Sequence, residues 1–496
     1  MNTGTAASKA AEPVESGKST RVRIIVRGLI PVAVAVIIAL LPVPANLKPN
    51  AWCYFALFIG VIVGLILEPI PPAAVGLVGV VLAGILGLVE GKPSDAIRWV
   101  LSGFANSSVW LVFAAFMFSL GYEKTGLGRR VALTLVKFLG GRTLGLGYAI
   151  TISDLVLAPF TPSNTARSAG TIYPIVRNIP TLYGSLPGPT ARKIGSYVVW
   201  TALAATCVTS SMFSTAMTAN LLALDLIKKT AHVEITWSQW FFGFLPVGAF
   251  LLIAMPFLVY KIYPPEIKIS KEVPPWAAQE LARLGKMGAK EITMAGIVIV
   301  ALVLWIFGKN FIDPTMVALV LVCLMVILGI IDWDDLAGNK PAWTVLIWFA
   351  TLVTLAEGLS RVGFAVWFAK YSASHLSGLS PTPVMIALIA IFFGVHYLFA
   401  SSMAHTAAIL PVIVLAGASI PGVPVASFAL LLALSLGLMG IITPYATGPS
   451  PVFFGSGYIP RKDFWVLGFV FGVIFLASLL VIGIPYHTMF LTMLNK

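Results

Sequence analysis

Residues 158–170 read Ala158-Pro159-Phe160-Thr161-Pro162-Ser163-Asn164-Thr165-Ala166-Arg167-Ser168-Ala169-Gly170, in the middle of an apolar stretch running from about 143 to 181. Two prolines remove backbone donors and break a helix, and the Ser-Asn-Thr that follows is built to start another. Free N–H groups and the helix dipole make such an end a site for anions. A polar tip inside so apolar a run meets lipid unless protein or a watery cavity receives it. Residues 143–181 therefore read as a re-entrant hairpin of two half-length helices.

A second stretch, 383–418, is interrupted in the same way by His396-Tyr397-Leu398-Phe399-Ala400-Ser401-Ser402-Met403-Ala404-His405-Thr406-Ala407. Ionisable residues at membrane depth are costly and mark functional positions, which singles out His405, with His396 nearer the hairpin entry. Around the hairpins lie eleven apolar runs of about helix-spanning length, near 26–44, 51–67, 72–89, 107–121, 195–226, 239–260, 290–308, 314–331, 342–356, 424–443 and 464–490. The chain thus reads as an all-α polytopic membrane protein of about eleven transmembrane helices and two re-entrant hairpins.

Composition agrees. Of 496 residues, 58% are hydrophobic and 10% charged, with a mean hydropathy of +0.95, whereas soluble domains carry about 25% charged residues. Soluble enzymes, disordered chains and nucleic-acid binders are excluded on that ground. The net charge of +13 is a topology signal. With the N-terminus inside, 22 basic residues fall on the cytoplasmic side and 9 outside, with Arg167 in a hairpin, as the positive-inside rule expects. Cys53, Cys207 and Cys323 are far apart in apolar runs and suggest neither disulfide nor metal cluster. No cofactor is expected.

The halves repeat. Trp240-Phe241-Phe242-Gly243-Phe244 is echoed by Trp465-Val466-Leu467-Gly468-Phe469, Thr165-Ala166 by Thr406-Ala407, and Trp110 and Glu123 by Trp343 and Glu357. This divides the chain into a cytoplasmic tail (1–25), a first half (26–260) and a proline-rich cytoplasmic linker (261–289). The second half (290–496) completes it. Each half holds one hairpin and one broken helix, 195–226 in the first and 424–458 in the second. Thr209 to Asn220, with Ser214 and Thr215, forms one polar break; Thr443 to Pro451, with Thr447, Gly448 and three prolines, forms the other. Inverted repeats with paired broken helices point to a secondary transporter with its site at the midplane. Arg167, on the helix leaving the first tip, offers the bidentate fork that binds carboxylates.

Ser163-Asn164-Thr165 resembles the Ser-Asn-Thr signature of the divalent anion–sodium symporter family, and Ala446 to Tyr458 resembles its second unwound helix and the helix after it. The strings 161–168 and 399–407 look more closely like the bacterial citrate/succinate and tartrate/succinate antiporters and the plastid 2-oxoglutarate/malate translocators. The resemblance implies exchange of di- or tricarboxylates by an elevator motion, in a multi-pass homodimer of the bacterial inner membrane. It implies substrate contacts at Ser163, Asn164, Thr165, Arg167, Ser402, His405, Thr406 and Thr447, with Ser214 and Thr215 closing the side. Sodium-coupled relatives carry a second Ser-Asn-Thr where this chain has Ala404-His405-Thr406. Sodium-independent antiport is therefore expected; a sodium-coupled symporter, with sodium near Asn164, is the alternative.

Overall fold

Proline and short polar caps punctuate the apolar sequence into helices. Pro49, Pro72, Pro93, Pro314 and Pro381 each open one, where the missing N–H costs nothing. Asn106 caps another by accepting from Ser108 N at 2.8 Å, and Thr236 and Gln239 form a reciprocal capping box. The computed structural model describes residues 17–308, 311–376 and 380–494. It is all-helical: among the described residues the only extended pairing is an isolated antiparallel bridge between Arg142 and Ile269. Of the expected tail, residues 1–16 lie outside the described residues, and helix already begins at Gly17.

Among the described residues, eight helical segments are long and apolar enough to cross a membrane by length and composition. They include Thr143–Phe160 and Pro381–Leu398, each 18 residues. The first arms of the two interrupted stretches are thus longer than the half-length helices expected. The proline or histidine that ends each run shortened it to the eye, but a single 3-10 turn continues the rod past Leu157 and past Val395.

Two helices lie at the centre. Every residue of Gly195–Met212 is buried, as are residues 427–438 of Val425–Leu438. Both are apolar or small on all sides, as a helix enclosed by protein must be. They pack against each other, and Thr143–Leu157, Trp237–Ile262 and Ser402–Ala418 pack around them. A second group, Pro72–Ile85, Ser107–Thr125, Pro314–Ile327 and Lys340–Arg361, packs together on one side. Thr218–Ala231 touches both groups, lying against Ser402–Ala418 and Lys340–Arg361.

Element order recurs along the chain. From Ser107–Thr125 it runs long helix, short helix, arm, 3-10 turn, second arm, central helix, 3-10 turn, short helix, long helix, with two further 3-10 turns, Pro180–Tyr183 and Ala191–Lys193, between the second arm and the central helix. From Lys340–Arg361 the same order runs to the C-terminal helix. The expected linker is not all loop, since Val273–Leu284 forms a helix packed on Leu127–Leu139.

Candidate substrate site

Four segments outside the α-helices meet near the centre: residues 158–163 (the first tip), 213–217 (the first break), 396–401 (the second tip) and 442–449 (the second break). Each leaves backbone groups that a helix would have paired, and at membrane depth these need partners. The first break supplies them to the first tip. Thr215 Oγ1 donates to the Pro159 carbonyl at 2.7 Å, and Thr218 Oγ1 to the Pro162 carbonyl at 3.0 Å.

The first break contains neither Pro nor Gly. Phe213 and Met217 are extended there (φ −130° and −151°) around a single turn, Ser214–Ala216. The orphaned carbonyls of Gly195–Met212 are taken up from outside the helix. Asn220 Nδ2 donates to Ser210 O at 2.7 Å and Phe213 O at 3.1 Å, and Trp240 Nε1 donates to Ser211 O at 2.9 Å. Ser-rich composition reveals the break; the roles of Asn220 and Trp240 arise only from tertiary contact.

At the first tip the three signature residues divide their work. Ser163 is the cap, its Oγ accepting from Ala166 N at 3.2 Å. Asn164 is already helical (φ −60°, ψ −25°), which frees its amide to donate to Thr447 Oγ1 at 2.9 Å. The same amide lies 3.4 Å from Met217 Sδ. Thr165 is exposed and presses on Gly448, where a Cβ would collide with the Thr165 hydroxyl. Residues 165–172 are wound as a π-helix, a form concentrated at functional sites.

Arg167 is not where a substrate carboxylate would meet it. It is fully buried and every nitrogen of its guanidinium is engaged by protein. Nε faces Asp154 Oδ2 at 3.1 Å, and Nη1 donates to Thr161 O at 2.9 Å and Ala216 O at 2.7 Å. Nη2 lies 3.1–3.4 Å from the hydroxyls of Thr206, Thr209 and Ser210. The expected fork therefore binds a carboxylate of the protein itself, with no donor to spare. Asp154 also accepts from the Thr209 hydroxyl, while its Oδ1 is buried without a hydrogen-bond partner.

At the second tip Ser401 caps Ser402–Ala418, accepting from Ala404 N at 3.3 Å. The Ala446 carbonyl, in the second break, receives Ser402 Oγ at 3.2 Å and faces His396 Nε2 at 2.8 Å. A carbonyl only accepts, so His396 carries a proton on Nε2, while its Nδ1 is buried without a hydrogen-bond partner. Thr406 donates its hydroxyl proton to Ser402 O at 2.7 Å, within its own helix.

His405 is enclosed by three rings, Phe392, His396 and Phe399, at centroid distances of 4.4, 4.9 and 5.1 Å. It is fully buried and neither ring nitrogen has a hydrogen-bond partner, a rare condition that calls for a functional explanation. Ser214 and Thr215 also line a cavity of about 630 Å³ with Asp225, Lys228 and Trp237. Among the described residues no group of three or more His, Cys, Asp or Glu is placed to hold a metal ion.

The structure thus joins Asn164 to Thr447, Thr165 to Gly448, and Ser402 and His405 to the second break through Ala446 and His396. It sets Arg167 apart as a group serving the protein.

Residues 23–494 match the family model described as the sodium:sulfate symporter transmembrane region. The chain is 50% identical over 471 residues to the L-tartrate/succinate antiporters of Escherichia coli (strain K12) and Shigella sonnei (strain Ss046); each match covers 92% of this chain and 97% of the relative. Among solved structures it resembles the YdaH transporter of Alcanivorax borkumensis, with a TM-score of 0.52 at 14% identity, covering 83% of this chain and 96% of that one. That likeness speaks to the fold alone. A multi-pass membrane protein of this architecture, matched over nearly its whole length, belongs to the sodium:sulfate symporter family, the divalent anion–sodium symporters that its Ser-Asn-Thr tip resembles.

Proposed function

We propose that this protein exchanges tartrate, succinate or a related di- or tricarboxylate for another across the bacterial inner membrane, without sodium coupling. The observation that carries the reading is the 50% identity to L-tartrate/succinate antiporters, over a match so long that both tips and both breaks fall inside it. The geometry is compatible. Two helix N-termini, at Ser163 and Ser401, bring fixed partial positive charge to a set of small donors. Ser163, Asn164 and Thr165 hold one carboxylate end and Ser402, His405 and Thr447 the other, with Ser214 and Thr215 closing the side.

Exchange follows from what the empty site would have to carry. The helix ends and His405 are part of the protein and cannot leave as a cotransported sodium ion does. Crossing the low-dielectric barrier with these donors unpaired costs about 1–3 kcal/mol for each; a bound dianion pairs them. In this reading the two halves are inverted repeats with re-entrant hairpins, and the N-terminus is cytoplasmic. The tips and breaks ride as an elevator in each protomer of a homodimer.

Proteoliposomes loaded with unlabelled succinate should take up radiolabelled succinate or tartrate equally well in sodium and potassium buffers. Empty proteoliposomes should take up almost none. Sodium-dependent uptake into empty vesicles would establish the symporter alternative instead.

A further inference from the structure

We infer that Asp154 sets the fixed charge behind the substrate site, and through it the charge of the carboxylate that the site prefers. This rests on the carboxylate-exchange reading and adds to it a residue that selects among anions.

The first observation is placement. Arg167 lies one turn after Asn164, and its Nη1 bonds the Ala216 carbonyl, between Thr215 and the Met217 that touches Asn164. Its charge therefore sits directly behind the first tip, in a place where both it and Asp154 are at most 1% exposed. The two tips and two breaks contain no Asp, Glu, Lys or Arg. The balance of this one ion pair thus decides the full charge behind the tip, and with Asp154 ionised that balance is zero.

The consequence for anions follows from Coulomb's law. A unit charge acting over about 10 Å at an effective dielectric of about 20 changes binding about tenfold for each unit of ligand charge. An unbalanced Arg167 would therefore favour a tricarboxylate over a dicarboxylate. Asp154 cancels that bias and keeps the site suited to dianions, whose charge the helix ends and His405 meet.

The second observation makes the charge separable from the architecture. Asp154 Oδ2 takes both the Arg167 Nε–H and the Thr209 hydroxyl, whereas Oδ1 takes nothing. An asparagine keeps one oxygen for both bonds and puts its amide nitrogen where the present oxygen already lacks a partner. Asp154→Asn thus removes a charge and leaves the accepted hydrogen bonds in place.

The test is the ratio of citrate to succinate exchange in proteoliposomes at about pH 8, where citrate carries one more charge than succinate. Asp154→Asn should raise that ratio about tenfold or more. The double variant Asp154→Asn/Arg167→Gln, neutral again, should return it to the wild-type value. A residue that only braces the fold would slow both anions together. An unchanged ratio in Asp154→Asn, or a double variant that keeps the raised ratio, overturns the proposal. Where Asp154→Asn does not elute as a single folded species, Arg167→Gln alone carries the test: the ratio should fall about tenfold, and an unchanged ratio overturns it. Wild-type protein that exchanges neither anion would instead refute the functional reading, a result plainly distinct from an unmoved ratio.

Discussion

Asn164 and Asn220 are both buried amides beside a chain break, and they do opposite work. Asn220 gives both its protons to the carbonyls of Ser210 and Phe213 and holds the break open. Asn164 reaches from one tip to Thr447 in the opposite break, and a ligand can take that bond over. Asn220→Leu leaves two carbonyls unpaired and should destabilise the protein by about 2–4 kcal/mol, read by thermal unfolding in detergent with exchange lost in parallel. Gly448→Ala should cost exchange at least tenfold because its methyl meets Thr165, and elution should stay that of the folded protein. Gly455, with nothing near its Cβ position, is the control, and Gly455→Ala should exchange normally. The same scale shows what sequence reading can and cannot see. Ser163-Asn164-Thr165 was legible because three small polar residues after two prolines have no place in a lipid-facing helix. The sequestration of Arg167 was not, since a fork for a carboxylate looks the same whether the carboxylate is a substrate's or Asp154's. Nor was the bond of His396, whose partner, the Ala446 carbonyl, lies 50 residues away.

At the scale of elements, the breaks differ in cause. The second is set by Pro444 and Gly448, which weaken a helix from within, and by Pro449 and Pro451, which suit the start of the helix that follows, Ser450–Gly455. The first has no such residue and exists because its carbonyls are better paired from outside, by Asn220 and Trp240, than by continued winding. It was visible in the sequence only as a run of Ser and Thr. The same logic makes the first tip and first break one unit. Thr218→Val removes the donor to Pro162 O and should cost about 1–3 kcal/mol in denaturation midpoints. His405→Asn alters the second tip instead; carboxylate exchange should fall at least tenfold while the unfolding temperature stays close to wild type. Unimpaired exchange in that variant would remove His405 from the site.

At the scale of the molecule, Thr218–Ala231 bridges the two helix groups, and its contacts test whether they move. Asn106 Nδ2 donates to Asp225 Oδ1 at 2.7 Å, and Lys229 sits between Asp225 and Glu357 at 3.6 and 3.7 Å. An elevator stroke that carries the tips past Lys340–Arg361 must part these groups in every cycle. Cysteines at positions 106 and 225, in a background where Cys53, Cys207 and Cys323 are replaced, should therefore stop exchange when joined by a short thiol cross-linker. Cleaving the linker should restore it. Full exchange with the link intact would sink the elevator proposal.

Unwound stretches are ordinarily where a membrane helix is soft. Here the carbonyls freed at Pro159 and Pro162 are held by Thr215 and Thr218, and Thr161 and Ala216 are tied together through one guanidinium. Neither stretch can loosen without unfastening the other. In hydrogen–deuterium exchange the amides around the first tip and break should be among the slowest of the non-helical ones, slower than the loop that joins Ile262 to Val273. Compliance then lies at the rim of the unit, and under the elevator proposal the carboxylate would travel in a stiff cradle whose shape does not change along the way.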